Sequence, residues 1–277
     1  MGSEATIRGY LQSQWCKLLH PNPSARIRLV CFPPVGAGAS FYSSWGAAWR
    51  QVEVCAIQPP GHEQRICEEP ISQMQEAVEQ LLQAIPFDKP VAFFGHSLGA
   101  LIVYELTCRM EQEGMDLPRH LLLSACPAPQ VHRLKRSRHL LSDAELIRYL
   151  SILGGTPEDV LNHKELMAVA LPIIRADFKI ADDYRFEQRR SLPVPITAFG
   201  GAQDAEVTVE EVAAWRSCTA ATFRVKIFPG NHFYLHTQLT QLKQEILNDL
   251  CACAWACLSR RVFVHGCMDS SISMDRK

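Results

Sequence analysis

Residues 91–114 read VAFFGHSLGALIVYELTCRMEQEG. A short apolar run enters Gly95-His96-Ser97-Leu98-Gly99, and a segment with helical periodicity leaves it and stops at Gly114. A G-x-S-x-G turn between a strand and a helix is the context of a nucleophile elbow. So tight a turn needs small residues on both flanks. It leaves the serine in a strained conformation with its hydroxyl above the sheet. Ser97 is therefore the candidate nucleophile. His96 adjoins it, but the turn points the two side chains apart, so His96 reads as a packing and hydrogen-bonding residue.

Similar apolar runs recur on either side. They are RIRLVCFPP from Arg26, VEVCAIQPP from Val52, HLLLSACP from His120, PVPITAFGG from Pro193 and FRVKIFPG from Phe223. Near-continuous apolar runs of this length read as strands buried on both faces, hence a parallel sheet. Between two of them, ISQMQEAVEQLLQAI sets Met74, Val78, Leu81, Leu82 and Ile85 on one helical stripe. Alternating strands and helices give an α/β class with a doubly wound sheet.

The alternation breaks between about residues 131 and 190, which read as helices only. One starts at Ser142 with Asp143 and Glu145 in its first turn, one follows Thr156-Pro157, and one follows Pro172. Helices inserted there suggest a lid over the carboxyl edge of the sheet, where open α/β sheets bind ligands. The expected division is a 1–25 N-terminal extension, a core of 26–130 and 191–258, a 131–190 lid and a 259–277 tail.

The 277 residues suffice for a substantial core, and 47% hydrophobic with 21% charged residues is ordinary for a globular protein. A net charge of −1 gives no basis for a nucleic acid or a membrane surface as partner. The chain shows neither a secretion signal nor an apolar run of spanning length. Its 11 cysteines then read as free thiols of a cytoplasmic protein.

A serine hydroxyl needs a base, and this arrangement presents Ser, then Asp or Glu, then His. ITAFGG runs into Ala202-Gln203-Asp204, and VKIFPG runs into Asn231-His232. Asp204 is the candidate acid that would orient the imidazole. Glu206 is its local competitor, and Asp177, Asp182 and Asp183 are more distant ones. His232 is the candidate base. His236 lies four residues on, a spacing that could serve a metal, but Phe233 stands where a zinc-protease helix has Glu. No metal is expected, and His236 reads as a helix residue. For the oxyanion, one donor should be the Leu98 amide. The other should come from CFPPVGAGAS. Pro33 and Pro34 have no N–H, so Val35 is the first amide available and Gly36 the next.

Taken together, VCFPPVGAGAS, PPGHEQR, FFGHSLGAL, LLLSACPAP, LGGTPEDV, LPIIRADF, FGGAQD and GNHFYL resemble the type II thioesterases of the α/β-hydrolase fold. These are stand-alone enzymes serving fatty-acid, polyketide and nonribosomal-peptide synthases. The resemblance spans about 26–250, and the family's catalytic serine, aspartate and histidine fall on Ser97, Asp204 and His232. It implies hydrolysis of acyl groups from the phosphopantetheine arm of an acyl or peptidyl carrier protein, without cofactor, by a monomer. Two positions depart from the family pattern. Pro34-Val35-Gly36-Ala37-Gly38 replaces the usual Ala-Gly-Gly and looks closer to chain-releasing domains fused to peptide synthetases. His62 replaces the usual Arg after Pro-Gly, with Arg65 retained. The alternative to editing is thus release of a finished chain to water or another nucleophile. The basic HRLKRSRH, residues 132–139, is either a solvated linker or a carrier-docking patch. In the lid, Ile147, Leu150, Leu153, Leu166, Leu171, Ile174 and Phe178 are expected mostly to pack the helices, with some facing an acyl cavity.

Overall fold

The computed structural model describes residues 14–47, 49–131 and 137–262, with side chains of the last helix described through 251. The C-terminal residues 263–277 and most of the basic 132–139 stretch lie outside these. Seven strands form one sheet: β1 (Cys16–Leu18), β2 (Ile27–Phe32), β3 (Val52–Ile57), β4 (Val91–His96), β5 (Leu121–Ser124), β6 (Ile196–Gly201) and β7 (Phe223–Phe228). Their order is β1-β3-β2-β4-β5-β6-β7. All pairs are parallel except β1 with β3. The helices are α1 (Met74–Ala84), α2 (Leu98–Gln112), α3 (Asp143–Leu153), α4 (Glu158–Leu161), α5 (Lys164–Asp182), α6 (Val209–Ala213), α7 (Tyr234–Thr237) and α8 (Leu239–Val262).

The apolar runs read as strands are strands, and β2 to β6 are buried on both faces as their composition requires. The exception is β7, an edge strand with Arg224 and Lys226 among its residues, which is fully buried only at Phe228. Along β2, Val30 and Phe32 join one core with α1 and α2, while Leu29 and Cys31 join another with Trp45, Leu242 and Ile246. Each fully buried Val, Leu or Phe contributes about 1.5–3 kcal/mol. The sheet is thus held from both sides, and its carboxyl edge is left for loops. Chain order reverses direction between β2 and β4, and that edge is where a crevice opens. The pairing of Phe32 with Gly95 sets the loop after β2 directly beside the elbow after β4.

Two features differ from expectation. The 1–25 stretch contributes β1, which pairs Cys16 with Ile57 and Leu18 with Cys55. The third inserted helix does not start after Pro172: α5 runs through it. Proline removes one donor to the carbonyl four residues back. Here both Pro172 and Ala168 are exposed, so water can serve the freed carbonyl. The apolar stripe Met167, Leu171, Ile174 and Phe178 continues across the proline and buries against Leu146, Leu150 and Leu161. That packing outweighs one lost hydrogen bond. Ahead of it, α3 starts at a capping box of Ser142 and Glu145 and ends at Gly154 in the left-handed conformation.

Candidate active site

Ser97 joins β4 to α2 with φ 55° and ψ −119°, a strained conformation for a residue with a side chain. Its amide donates to Ser124 O at 2.8 Å, which fixes the turn to β5. Sterics explain both flanking glycines. A Cβ on Gly95 would lie 2.3 Å from Gly99 O, and one on Gly99 would lie 2.2 Å from Phe32 O. Only glycine lets β2, β4 and α2 meet here.

Asp204 and His232 come from the loops after β6 and β7. Those loops are laced together: Gln203 N donates to Gly230 O at 2.9 Å, and Gly230 N donates to Gln203 Oε1 at 2.6 Å. A Cβ on Gly201 would meet Asn231 O at 2.4 Å, so the close approach again demands glycine. His232 Nδ1–H donates to Asp204 Oδ2 at 2.8 Å. The other carboxylate oxygen accepts Glu206 N–H at 2.8 Å and Val207 N–H at 3.2 Å. The Asp204 side chain is fully buried yet has acceptor sites filled on both oxygens. Because a carboxylate can only accept, Nδ1 carries the proton and the neutral ring presents Nε2 as a base. Ser97 and His232 line one cavity of about 150 Å³. No direct hydrogen bond joins them, a looseness usual before substrate completes a site.

The rival carboxylates are occupied elsewhere. Asp182 binds Arg138 and His139, Asp183 binds Lys179, and Glu206 accepts from Tyr149 OH at 2.8 Å. Asp177 accepts from His62 Nε2 at 3.0 Å and from Gly36 N at 2.7 Å. The second bond also bears on the oxyanion donors. Gly36 is already engaged, which leaves Val35 and Leu98, both bordering the cavity.

His96 is buried, and its Nδ1 bonds Ser124 Oγ at 2.8 Å. Burial, then the neighbouring His232 and His236, holds its pKa well below the ordinary value. It is a neutral ring packed 5.4 Å from that of His232. His236 is exposed on α7, stacks on Phe233 at 6.0 Å and meets Phe41 edge-on at 5.3 Å. Phe233 touches the inserted segment: a Cβ on Gly155 would lie 2.3 Å from its ring. Among the described residues no cluster of three metal-ligating side chains occurs.

The structure adds Tyr149, Phe41 and Phe233, which sequence reading passed over, to the cavity lining. Arg138 of the basic 132–139 stretch lines it too, as do Leu150, Leu153 and Phe178 from the inserted helices. Leu171 and Ile174 pack instead, and Leu166 is exposed. His62 had one visible signal, its departure from the family pattern.

Residues 27–250 match the thioesterase domain family. The chain belongs to that family. The gramicidin S biosynthesis protein GrsT of Aneurinibacillus migulanus is 39% identical over 242 residues, which cover 86% of this chain and 93% of that protein. The medium-chain S-acyl fatty acid synthase thioesterase of Homo sapiens is 34% identical over 227 residues, covering 78% and 84%. Among solved structures, the type II thioesterase BorB from the borrelidin biosynthetic cluster superposes with a TM-score of 0.78 at 39% identity, covering 85% of this chain and 97% of that one. The mostly parallel sheet is that of these thioesterases, the α/β-hydrolase fold.

Proposed function

We propose that this thioesterase removes acyl groups from the phosphopantetheine arm of carrier proteins, clearing aberrant intermediates from polyketide, nonribosomal-peptide or fatty-acid assembly. The observation that carries the mechanism is the His232–Asp204 pair facing the same cavity as the strained Ser97. Ser97 Oγ attacks the thioester carbonyl while His232 Nε2 takes its proton. The developing oxyanion is met by the Val35 and Leu98 amides, the latter at the N-terminus of α2. Collapse breaks the C–S bond, and His232 returns the proton to the departing thiolate. Water, activated by the same imidazole, then attacks the acyl-serine and releases the acid. Asp204 stays ionised throughout and stabilises the imidazolium. None of these steps calls for a cofactor.

The cavity bears on the acyl group. Its walls include Phe41, Leu150, Leu153 and Phe178, an apolar lining suited to an acyl group. Of its charged lining residues, Arg138 pairs with Asp182 and Glu206 accepts a hydrogen bond from Tyr149 OH. We take 131–190 as a lid that screens the acyl-enzyme. The names of the relatives support a synthase-bound carrier as the partner. All described cysteines are free, which agrees with a reducing compartment, and no described helix is long and apolar enough to cross a membrane. We place the enzyme in the cytoplasm as a monomer.

Purified protein given a carrier loaded with a short acyl group should yield free acid and free carrier. Transfer to an added alcohol or amine in place of water would favour the chain-releasing reading that the Pro34-Val35-Gly36 run raises. No loss of acyl group from the carrier would overturn the proposal.

A further inference from the structure

The loop that presents Val35 is clamped from two sides. From α5, Ile174 lies so close to Gly36 that a Cβ there would meet it at 2.9 Å, and Asp177, one turn on, takes the Gly36 amide. The stretch after β3, residues 58–63, takes the backbone beyond it. Gln58 Oε1 accepts Ala39 N–H at 3.0 Å, and Glu63 Oε1 accepts Ser40 N–H at 3.0 Å. His62 joins the two sides. Its Nε2 lies 3.0 Å from Asp177 Oδ2 and its Nδ1 lies 2.8 Å from Pro60 O. A carboxylate and a carbonyl both accept, so each ring nitrogen must donate, and only an imidazolium has two N–H groups.

We propose that His62 is a positioning residue of the site: held as an imidazolium between Pro60 and Asp177, it fixes the loop whose Val35 amide meets the substrate carbonyl. This rests on the thioesterase reading above. The ring is buried, and the charged groups facing it are Asp177 from α5 and Glu63 from its own loop. Arg65 turns away to Trp15, Gln58 O and Glu68. The cavity that His62 and Asp177 border on this side is otherwise lined by apolar residues, among them Ile57, Ile71 and Ile180. Burial alone would lower the ring's pKa, but the hydrogen bond and charge of Asp177 more than offset it, and the net direction is upward. Loss of the proton at alkaline pH leaves either Pro60 O or Asp177 without its donor. The clamp on Gly36 then loosens next to Val35. An arginine in this position would hold its charge at every working pH. The histidine makes the clamp titratable.

Two readouts test this on the full chain. Side-chain nitrogen NMR should show both His62 nitrogens protonated at pH 7, with the proton lost only above the ordinary histidine range. A neutral ring at pH 7, including one whose Nε2 accepts a proton held by Asp177, overturns the proposal. In the second, kcat/KM on a short acyl-pantetheine thioester is followed from pH 6 to 9. The wild type should fall about tenfold on the alkaline side, the size of one charge-assisted hydrogen bond. His62→Arg should abolish that fall, and His62→Gln should sit at the low level throughout. A wild-type profile without the fall, or an unchanged fall in His62→Arg, also overturns it. Absence of turnover at every pH would instead remove the thioesterase reading, whereas the NMR result is read without substrate.

Discussion

The elbow makes a quantitative demand at Gly99. In Gly99→Ala the new methyl would sit 2.2 Å from Phe32 O, 2.7 Å from Phe32 C and 2.8 Å from Pro33 O. All three are main-chain atoms of the loop that leads to Val35. To reach even 3.0 Å, the two backbones must part by about 0.8 Å, against the pull of the β2–β4 ladder. Overpacking of this kind costs about 1–3 kcal/mol of stability. Displacing a reacting constellation by about 1 Å costs on the order of 100-fold in rate. The variant should therefore remain folded with a lowered urea midpoint, and kcat/KM on a short acyl-pantetheine thioester should drop about 100-fold. Gly114→Ala is the control. Its added methyl meets nothing within 4 Å, and only the positive φ of 67° opposes it. It should lose about 1 kcal/mol and no activity. A Gly99→Ala enzyme with wild-type kcat/KM would refute the reasoning about the elbow and the oxyanion loop together.

Other outcomes follow from the same geometry. Asp204→Asn replaces the acceptor facing His232 Nδ1 and frees the ring to take the wrong tautomer, so kcat should fall about 10⁴-fold; a loss under tenfold in stopped-flow assays would return the acid role to another carboxylate. Glu206→Gln, whose partner is Tyr149 rather than the imidazole, should change kcat less than about tenfold in the same assay. Arg28 pairs with Glu53, both nearly inaccessible, and with the exposed Asp88. Arg28→Met should cost about 3 kcal/mol in urea unfolding at pH 7, because it leaves the Glu53 charge buried with Lys89 alone. Burial works to raise the Glu53 pKa, but the Asn22 amide and the Arg28 and Lys89 side chains lower it further; Asp88 is lowered chiefly by its hydrogen bond to Arg28. Depressed carboxylates add stability above the ordinary carboxylate range and lose it as pH falls through their folded values. The wild-type urea midpoint should therefore decline below about pH 4.5, and Arg28→Met should decline less.

The sheet was legible because its central strands, β2 to β6, are buried on both faces and its apolar runs are punctuated by Pro and Gly. β1 was not, for it is three half-exposed residues whose place depends on pairing with a strand some 40 residues away. Ser97, Asp204 and His232 were readable as candidates because each follows a strand end, and the structure brings all three to one edge. What local pattern could not show was contact across the fold. Asp177 read as a distant rival acid on the inserted helices, and His62 as a substitution without a role. They meet across 115 residues, through tertiary packing alone. Pro172 misled for a related reason: a local helix breaker was overridden by a stripe that buries on both sides of it.

In the proposed mechanism Ser97 carries the acyl group. Mass spectrometry of the intact protein, quenched during turnover of a short acyl-pantetheine thioester and then digested, reads this directly. The peptide containing Ser97 should carry one added acyl mass, absent in Ser97→Ala, whose hydrolysis should be lost as well. Acyl mass on another residue, or undiminished hydrolysis by Ser97→Ala, would contradict it.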